Sequence, residues 1–283
     1  MKRKEIEEII QTYATNCMSD SAQEWLKDKT KKILEEESSR EFFLTYTLLA
    51  QKVTAEPIKF KGETEVENYL KKQEANVLEI ARIYFLNTIL TANTAVFTPQ
   101  VAKIIQVADA KELETFLKYL LFLPQLEAFK MVAVDALRTN IASVFDALAL
   151  YNSYPAEYFE DKQWNQMFLK AAFMQRPLQH IVQVDQRANE DLARIISDYA
   201  HERWAAGRDI DPYFWRPVAG FINETLLRDM QRLLASDNSA ARKAAALCCH
   251  KSENQEAKKL LVNYPELYQL AESDKLNWNT IYN

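Results

Sequence analysis

Glycine is nearly missing from this 283-residue chain, which holds only Gly62, Gly207 and Gly220 against a usual share of roughly 7 %. Glycine supplies the positive φ that tight hairpins and phosphate-binding loops require. Its scarcity argues against a large β protein. With the three glycines standing alone, neither a dinucleotide fingerprint nor a Walker loop can be built, and no serine sits in a GxSxG turn. Cysteine is few and odd in number (Cys17, Cys248 and Cys249), which gives no disulfide framework and fits a reducing, cytoplasmic setting. Excess positive charge is lacking too: the net charge of −5 speaks against a general nucleic-acid binder. The opening MKRKEIEEIIQTYA turns acidic at once and has no apolar signal core. The longest uncharged run, 83–102, carries Asn87, Asn93, four threonines and Pro99. It reads as a buried helix plus a turn and not as a membrane span.

Metal-binding patterns fail on spacing. His201–Glu202 begins a zincin-like motif, but the second histidine would fall at 205, which is alanine. Cys248, Cys249 and His250 are adjacent, so on a helix they point about 100° apart and cannot converge on one ion. No cofactor and no metal are expected.

What is present in quantity is Leu, Ala, Glu, Lys, Gln and Arg, the strong helix formers. The apolar spacing predicts helices at 3–16, 21–36, 39–54, 65–93, 98–107, 110–122, 125–137, 140–150, 161–174, 188–206, 223–235, 238–250, 254–262 and 265–273. Start signals accompany several of them. Ser21 with Glu24 forms a capping-box pattern, Asp109 precedes AKELETFLKYLLF, Asp237 and Ser239 can cap the helix at 240, and Thr98–Pro99 puts proline at a first turn. Wide apolar stripes and short connections suit helices packed on two sides. The expectation is an all-α fold, an irregular HEAT-like array of antiparallel helix pairs whose repeats are degenerate. It forms a single domain over 1–283, with an N-terminal helical subdomain over 1–95 as an option. The rhythm breaks at 54–64, at YNSYPAEYFED (151–161) and at AGRDIDPYFWRPVAGF (206–221).

Several polar residues stand where apolar ones are expected. In the helix at 188–206, Arg203 falls on the apolar face of Leu192, Ile195, Ile196 and Tyr199. It must meet a carboxylate or carbonyls, or point into a cavity. Arg194, Asp198 and His201 fall on the opposite face with Glu202 at the flank. A histidine beside carboxylates can serve as a general base, but a solvated helix face gives the same pattern more simply. In PAEYFEDKQWNQMFLKAAF, Trp164, Met167, Phe168, Leu169, Ala171, Ala172 and Phe173 nearly surround the helix, yet Asn165 and Lys170 lie among them. Both need partners if buried, unless Lys170 reaches an opening along its stem. Trp204, Tyr213, Phe214 and Trp215 crowd around Arg208 and Arg216, as a core corner or as a stacking surface for a flat or anionic ligand.

In order and spacing, YPAEYF, WNQMFLKAAF, RAN (187–189, with Arg187), LARIISDYAHERWAAGR, FWRPVAGF and AARKAAALCC resemble the EboA family. The likeness is most specific over 150–250 and looser toward the N-terminus. The resemblance implies an all-helical protein encoded in a conserved bacterial gene cluster. That cluster also encodes a UbiA-like prenyltransferase, a TatD-like metal-dependent hydrolase and sugar-phosphate-type enzymes, and in cyanobacteria it is linked with moving a pigment precursor to the periplasm. It assigns no activity to any residue.

The first expectation is therefore a non-catalytic binding or scaffold protein of a metabolite-processing or export system. It would use a groove near the helices at 161–174 and 188–206, with Asn165, Lys170, Arg187, Asp198, His201, Glu202, Arg203, Arg208, Trp215 and Arg216 as candidate binding residues. Its partners would be other proteins of the cluster and a small-molecule ligand. The alternatives are an enzyme acting on a small anionic or isoprenoid metabolite and a helical-repeat DNA glycosylase. The last of these predicts salt-sensitive DNA binding, against the acidic balance.

Overall fold

The structure, a computed structural model, describes residues 1–282. The protein is all-α: among these residues there are 17 α-helices and no sheet, only an isolated bridge between Pro57 and Asn76. The chain divides into two compact units, Met1–Tyr158 and Phe159–Asn283.

In the first unit, α1 (Arg3–Cys17), α2 (Asp20–Glu36) and α3 (Ser39–Lys52) pack on α5 (Val77–Ala92). Short α4 (Glu65–Lys72) precedes α5, and α6 (Thr94–Ala102), α7 (Ile104–Val107) and α8 (Ala110–Lys118) follow it. The unit ends with α9 (Lys130–Ala136), α10 (Ala142–Ala149) and α11 (Tyr154–Tyr158). Helix α5 is apolar nearly all round, with Ile80, Ile83, Phe85, Leu86, Ile89 and Leu90 buried. Each such side chain contributes about 1.5–3 kcal/mol of transfer energy, so the helix belongs at the centre. The uncharged run at 83–102 is thus the second half of a buried helix, a turn at Asn93 and α6. No helix among the described residues is long and apolar enough to cross a membrane.

Two buried carboxylates of this unit are paired with cations. Glu79 and Glu112 each close a capping box and each also accept a second partner. Glu79 takes Lys118 Nζ at 3.0 Å and the Tyr119 hydroxyl at 2.9 Å, while Glu112 lies 3.5 Å from the buried Arg82 guanidinium. A capping box turned inward thereby satisfies helix amides and balances a buried cation at once.

Several sequence expectations are corrected at helix ends. The helix expected over 65–93 is two, because Asn76 with Glu79 forms a capping box and Glu74 takes a positive φ of 52°. Ser19, not Ser21, caps α2 by accepting from Ala22 N. Asn93 caps α6 through Val96 N, which leaves Pro99 inside that helix and not in its first turn. A proline in an interior turn removes one helical hydrogen bond, and α6 is short.

The second unit contains α12 (Asp161–Phe173), α13 (Glu190–Ala205), α14 (Glu224–Leu234), α15 (Ser239–Lys251), α16 (Gln255–Val262) and α17 (Pro265–Glu272). The irregular zone after α13 becomes a 3-10 segment, Pro212–Phe221. Helix α15 is its hub. Ala241, Ala244, Ala245 and Ala246 are buried, and their small size lets the 3-10 segment, α14, α16 and α17 pack against one helix. Cys248 and Cys249 are buried there as packing groups, with burial pushing the Cys249 thiol up to about 12. The cap of α15 is Asn238, between the expected Asp237 and Ser239. Helix α12 buries Trp164, Met167, Phe168 and Ala171, but Phe173 is 74 % exposed, so its apolar girdle is not closed.

Candidate functional site

The end of α13 builds the site. Gly207 lies at φ +63°, the left-handed conformation that only glycine adopts without cost. The Gly207 amide donates to Trp204 O at 3.0 Å and the Arg208 amide to Arg203 O at 2.9 Å, the paired bonds of a Schellman stop. The chain therefore reverses immediately. Asp209 comes back against α13, and its carbonyl accepts from Arg203 Nε at 3.1 Å and Nη2 at 2.7 Å. The arginine on the apolar face of α13 is satisfied by the loop that its own helix end throws back.

Around this guanidinium lies a cavity of about 410 Å³. The C-terminal end of α12 and the residues after it contribute Ala172, Gln175 and Arg176, and α13 contributes Tyr199 and Arg203. The irregular joint supplies Asp209 to Pro212 and Phe214, and Asn238 and Tyr282 complete the lining. Asp211 is occupied: its Oδ1 accepts from Tyr213 N at 2.8 Å and from the Tyr282 hydroxyl. Burial, then that bond, raises the Tyr282 phenol above its ordinary value. The walls thus join aromatic faces to two arginines and two aspartates. Such a lining suits a small molecule with an apolar body and a polar head.

A second polar cluster ties α13 to α14. Asp229, only 3 % exposed, accepts from Ser197 Oγ at 2.6 Å and pairs with His201 Nε2 at 2.6 Å. Ser, His and Asp are all present, but the order is not that of a nucleophilic triad. A triad needs the imidazole between serine and carboxylate, whereas here the carboxylate stands between the other two. Beside it the Trp204 ring stacks on Trp215 at 5.7 Å, neighbours His201 at 5.7 Å and carries the Arg232 guanidinium 4.2 Å above it. Among the described residues no three His, Cys, Asp or Glu side chains gather in a metal-holding arrangement.

The ten residues singled out in the sequence fall in several places. Arg203 lines the cavity, and none of the other nine does. His201 and Trp215 share Trp204 as neighbour. Asn165 exchanges two amide hydrogen bonds with Asn189, at 3.0 and 2.9 Å, and Asn189 in turn caps α13 through Leu192 N. Arg187 donates to Phe159 O at 2.8 Å and Asp161 at 3.1 Å, and stacks over Trp164. Arg216 grips Asp185 with two 2.7 Å bonds and also donates to the Tyr213 hydroxyl. Its guanidinium holds the Asp185 carboxyl below the usual carboxylate range. Asp198 pairs with Arg194 at 3.0 Å on the exposed face. Glu202 and Arg208 are exposed, and Lys170 is half-buried with its ammonium pKa lowered by burial.

Sequence reasoning missed Asp229, Ser197 and Arg232. A signal for the first was there: Asp229 sits in the Leu226, Met230, Leu233 stripe of α14, as Arg203 does on α13. Its partner was invisible because it lies on another helix.

Residues 6–219 match the family described as metabolite traffic protein EboA. No curated protein and no solved structure matches the chain. The family match spans most of the sequence, including α12, α13 and all but the end of the 3-10 segment, and the chain belongs to the EboA family.

Proposed function

We propose that this chain is a non-catalytic binding protein in a metabolite traffic system of the cytoplasm, and that its ligand sits in the cavity between α12, α13 and the joint at 209–214. The observation that carries this reading is the cavity itself. Its volume of about 410 Å³ falls in the range of small-molecule sites, roughly 300–1,000 Å³. Its Arg203 is fixed by the Asp209 carbonyl before any ligand arrives, and a preordered donor saves the entropy of ordering it on binding. Tyr199, Pro212 and Phe214 offer apolar surface beside that charge. The reading favours a small amphiphile with an anionic head. Proteins encoded in the same gene cluster are its natural partners, delivering or receiving that molecule.

The alternative, an enzyme acting on a small anionic or isoprenoid metabolite, would draw on the imidazole that Asp229 orients. The Asp-centred order of the Ser197, Asp229 and His201 cluster speaks for binding over nucleophilic catalysis.

The test is to purify the full chain from its native host and identify co-purifying small molecules by mass spectrometry. Wild type is compared with Ala172→Trp, which fills the cavity, and Arg203→Gln. A metabolite retained by wild type and lost from Ala172→Trp supports the reading. Identical small-molecule profiles for all three proteins, or turnover of the retained compound, would overturn it.

A further inference from the structure

We propose that the exposed face around Trp204, on α13 and α14, is a second binding site that takes the phosphate group of a soluble phosphate monoester. The inference is independent of the cavity, since none of Ser197, His201, Trp204, Asp229 and Arg232 lines it.

Three observations converge. The first is an oriented imidazole. Asp229 is buried and accepts at His201 Nε2, so the proton on that nitrogen is held, as in the carboxylate–histidine pairs that fix a ring's tautomer. Ser197 holds the other carboxylate oxygen at 2.6 Å. The His201 side chain is 48 % exposed, and Nδ1 has no partner among the described residues. The second is an unspent guanidinium. Arg232 is exposed and makes no ion pair or hydrogen bond with any described residue, yet its guanidinium carbon sits over the Trp204 ring, 4.2 Å from the centroid. A cation–π contact restrains the guanidinium without using its N–H donors. The third is that both groups border one indole, His201 with its ring centroid 5.7 Å and Arg232 with its guanidinium carbon 4.2 Å from the Trp204 ring, and the proposed small anion is set against the pair. The other cations of this face are already engaged: Arg194 with Asp198 and Asp191, and Arg228 with Glu224 at 3.9 Å. Glu202 follows His201 directly and projects about 100° away on the helix.

The chemistry selects phosphate among oxyanions. A guanidinium binds phosphate and carboxylate alike through paired N–H donors. The imidazole discriminates. A phosphate monoester loses its second proton near pH 6, so it can offer a P–O–H to the Nδ1 lone pair or bare oxygens to an imidazolium. One proton is shared between ring and ligand in either form. Sulfate carries no such proton near neutrality.

The chain has three histidines, His180, His201 and His250, so ring nitrogen–proton spectra of the full-length protein are readily assigned. Phenyl phosphate and inorganic phosphate are titrated against sulfate and acetate. The expected result is a saturable shift of the His201 ring with both phosphates, at least fivefold tighter than with sulfate or acetate. His180 and His250 should stay still. Arg232→Gln, at an exposed position, should weaken binding about tenfold and Arg232→Lys less, while Arg203→Gln should leave it unchanged. Equal shifts of all three histidines, an Arg232→Gln protein that binds as well as wild type, or an effect of Arg203→Gln in its place would overturn the proposal. So would binding confined to phosphatidic acid vesicles with no response to the soluble esters.

Discussion

Replacing Asp229 by alanine removes the only acceptor of two short hydrogen bonds, and the two donors left behind are unequal. Ser197 is 4 % exposed, so its hydroxyl would stay buried without an acceptor, at about 1–3 kcal/mol. The His201 side chain is 48 % exposed and can turn its N–H to water at little cost. Against this, loss of a buried carboxylate returns part of its desolvation energy. The balance is a destabilisation of about 2 kcal/mol. Asparagine at 229 tests the reasoning more sharply. Its carbonyl oxygen can accept from His201 while its amide donates to the Ser197 oxygen, since a hydroxyl can also accept. The Asp229→Asn change should therefore cost less than about 1 kcal/mol. Urea unfolding followed by tryptophan fluorescence reports on this unit, because Trp164, Trp204, Trp215 and Trp278 lie in it and only Trp25 lies in the other. Hydrogen exchange of the α13 and α14 amides guards against a transition that is not two-state. If Asp229→Asn proved as damaging as Asp229→Ala, the charge and not the hydrogen bonding would hold the helices. If alanine were neutral, the cluster would have no structural role.

Four further outcomes are expected. Gly207→Ala should destabilise by about 1–2 kcal/mol through its positive φ alone, since a Cβ there meets nothing within 4 Å, while Gly220→Ala should stay within about 0.5 kcal/mol by the same denaturation assay. Gly62→Ala should destabilise more steeply: its Cβ would come 2.0 Å from Glu67 Oε2, and that carboxylate is held by Tyr13, Thr64 and the Gly62 amide. Because Arg216 lowers the Asp185 pKa, its contribution is fully present above the unfolded carboxylate value near 3.9 and is lost as pH falls through the lower folded value. Arg216→Gln should flatten that acid limb of the stability profile, an effect within about 1 kcal/mol for a half-exposed carboxylate. A thiol reagent at pH 8 should modify Cys17 in the folded chain and reach Cys248 and Cys249 only after unfolding, because both are buried with raised thiol pKa values. Rapid modification of a second thiol would contradict that packing.

Sequence by itself determined the helical class, the buried helix and turn within the uncharged run at 83–102 and the break at 206–221, while the break expected at 151–161 holds the short helix α11. These follow from composition, periodicity and scarce glycine, all local properties that act whatever the neighbours are. It also placed attention on α12 through Asn165 and Lys170 and on α13 through Arg203, polar residues set among apolar ones on their helices. Helix starts were read less well, because Ser19, Asn93 and Asn238 compete with equally good caps one to several residues away and packing selects among them. Tertiary structure decided the rest. The cavity depends on a Schellman stop at Gly207 that turns one carbonyl back onto Arg203, and on residues as distant in sequence as Ala172 and Tyr282. The pairing of Asp229 with His201 and Ser197 spans 28 and 32 residues. No periodicity encodes that pairing: it exists only because α13 and α14 meet along one seam, where a buried carboxylate requires donors from the facing helix.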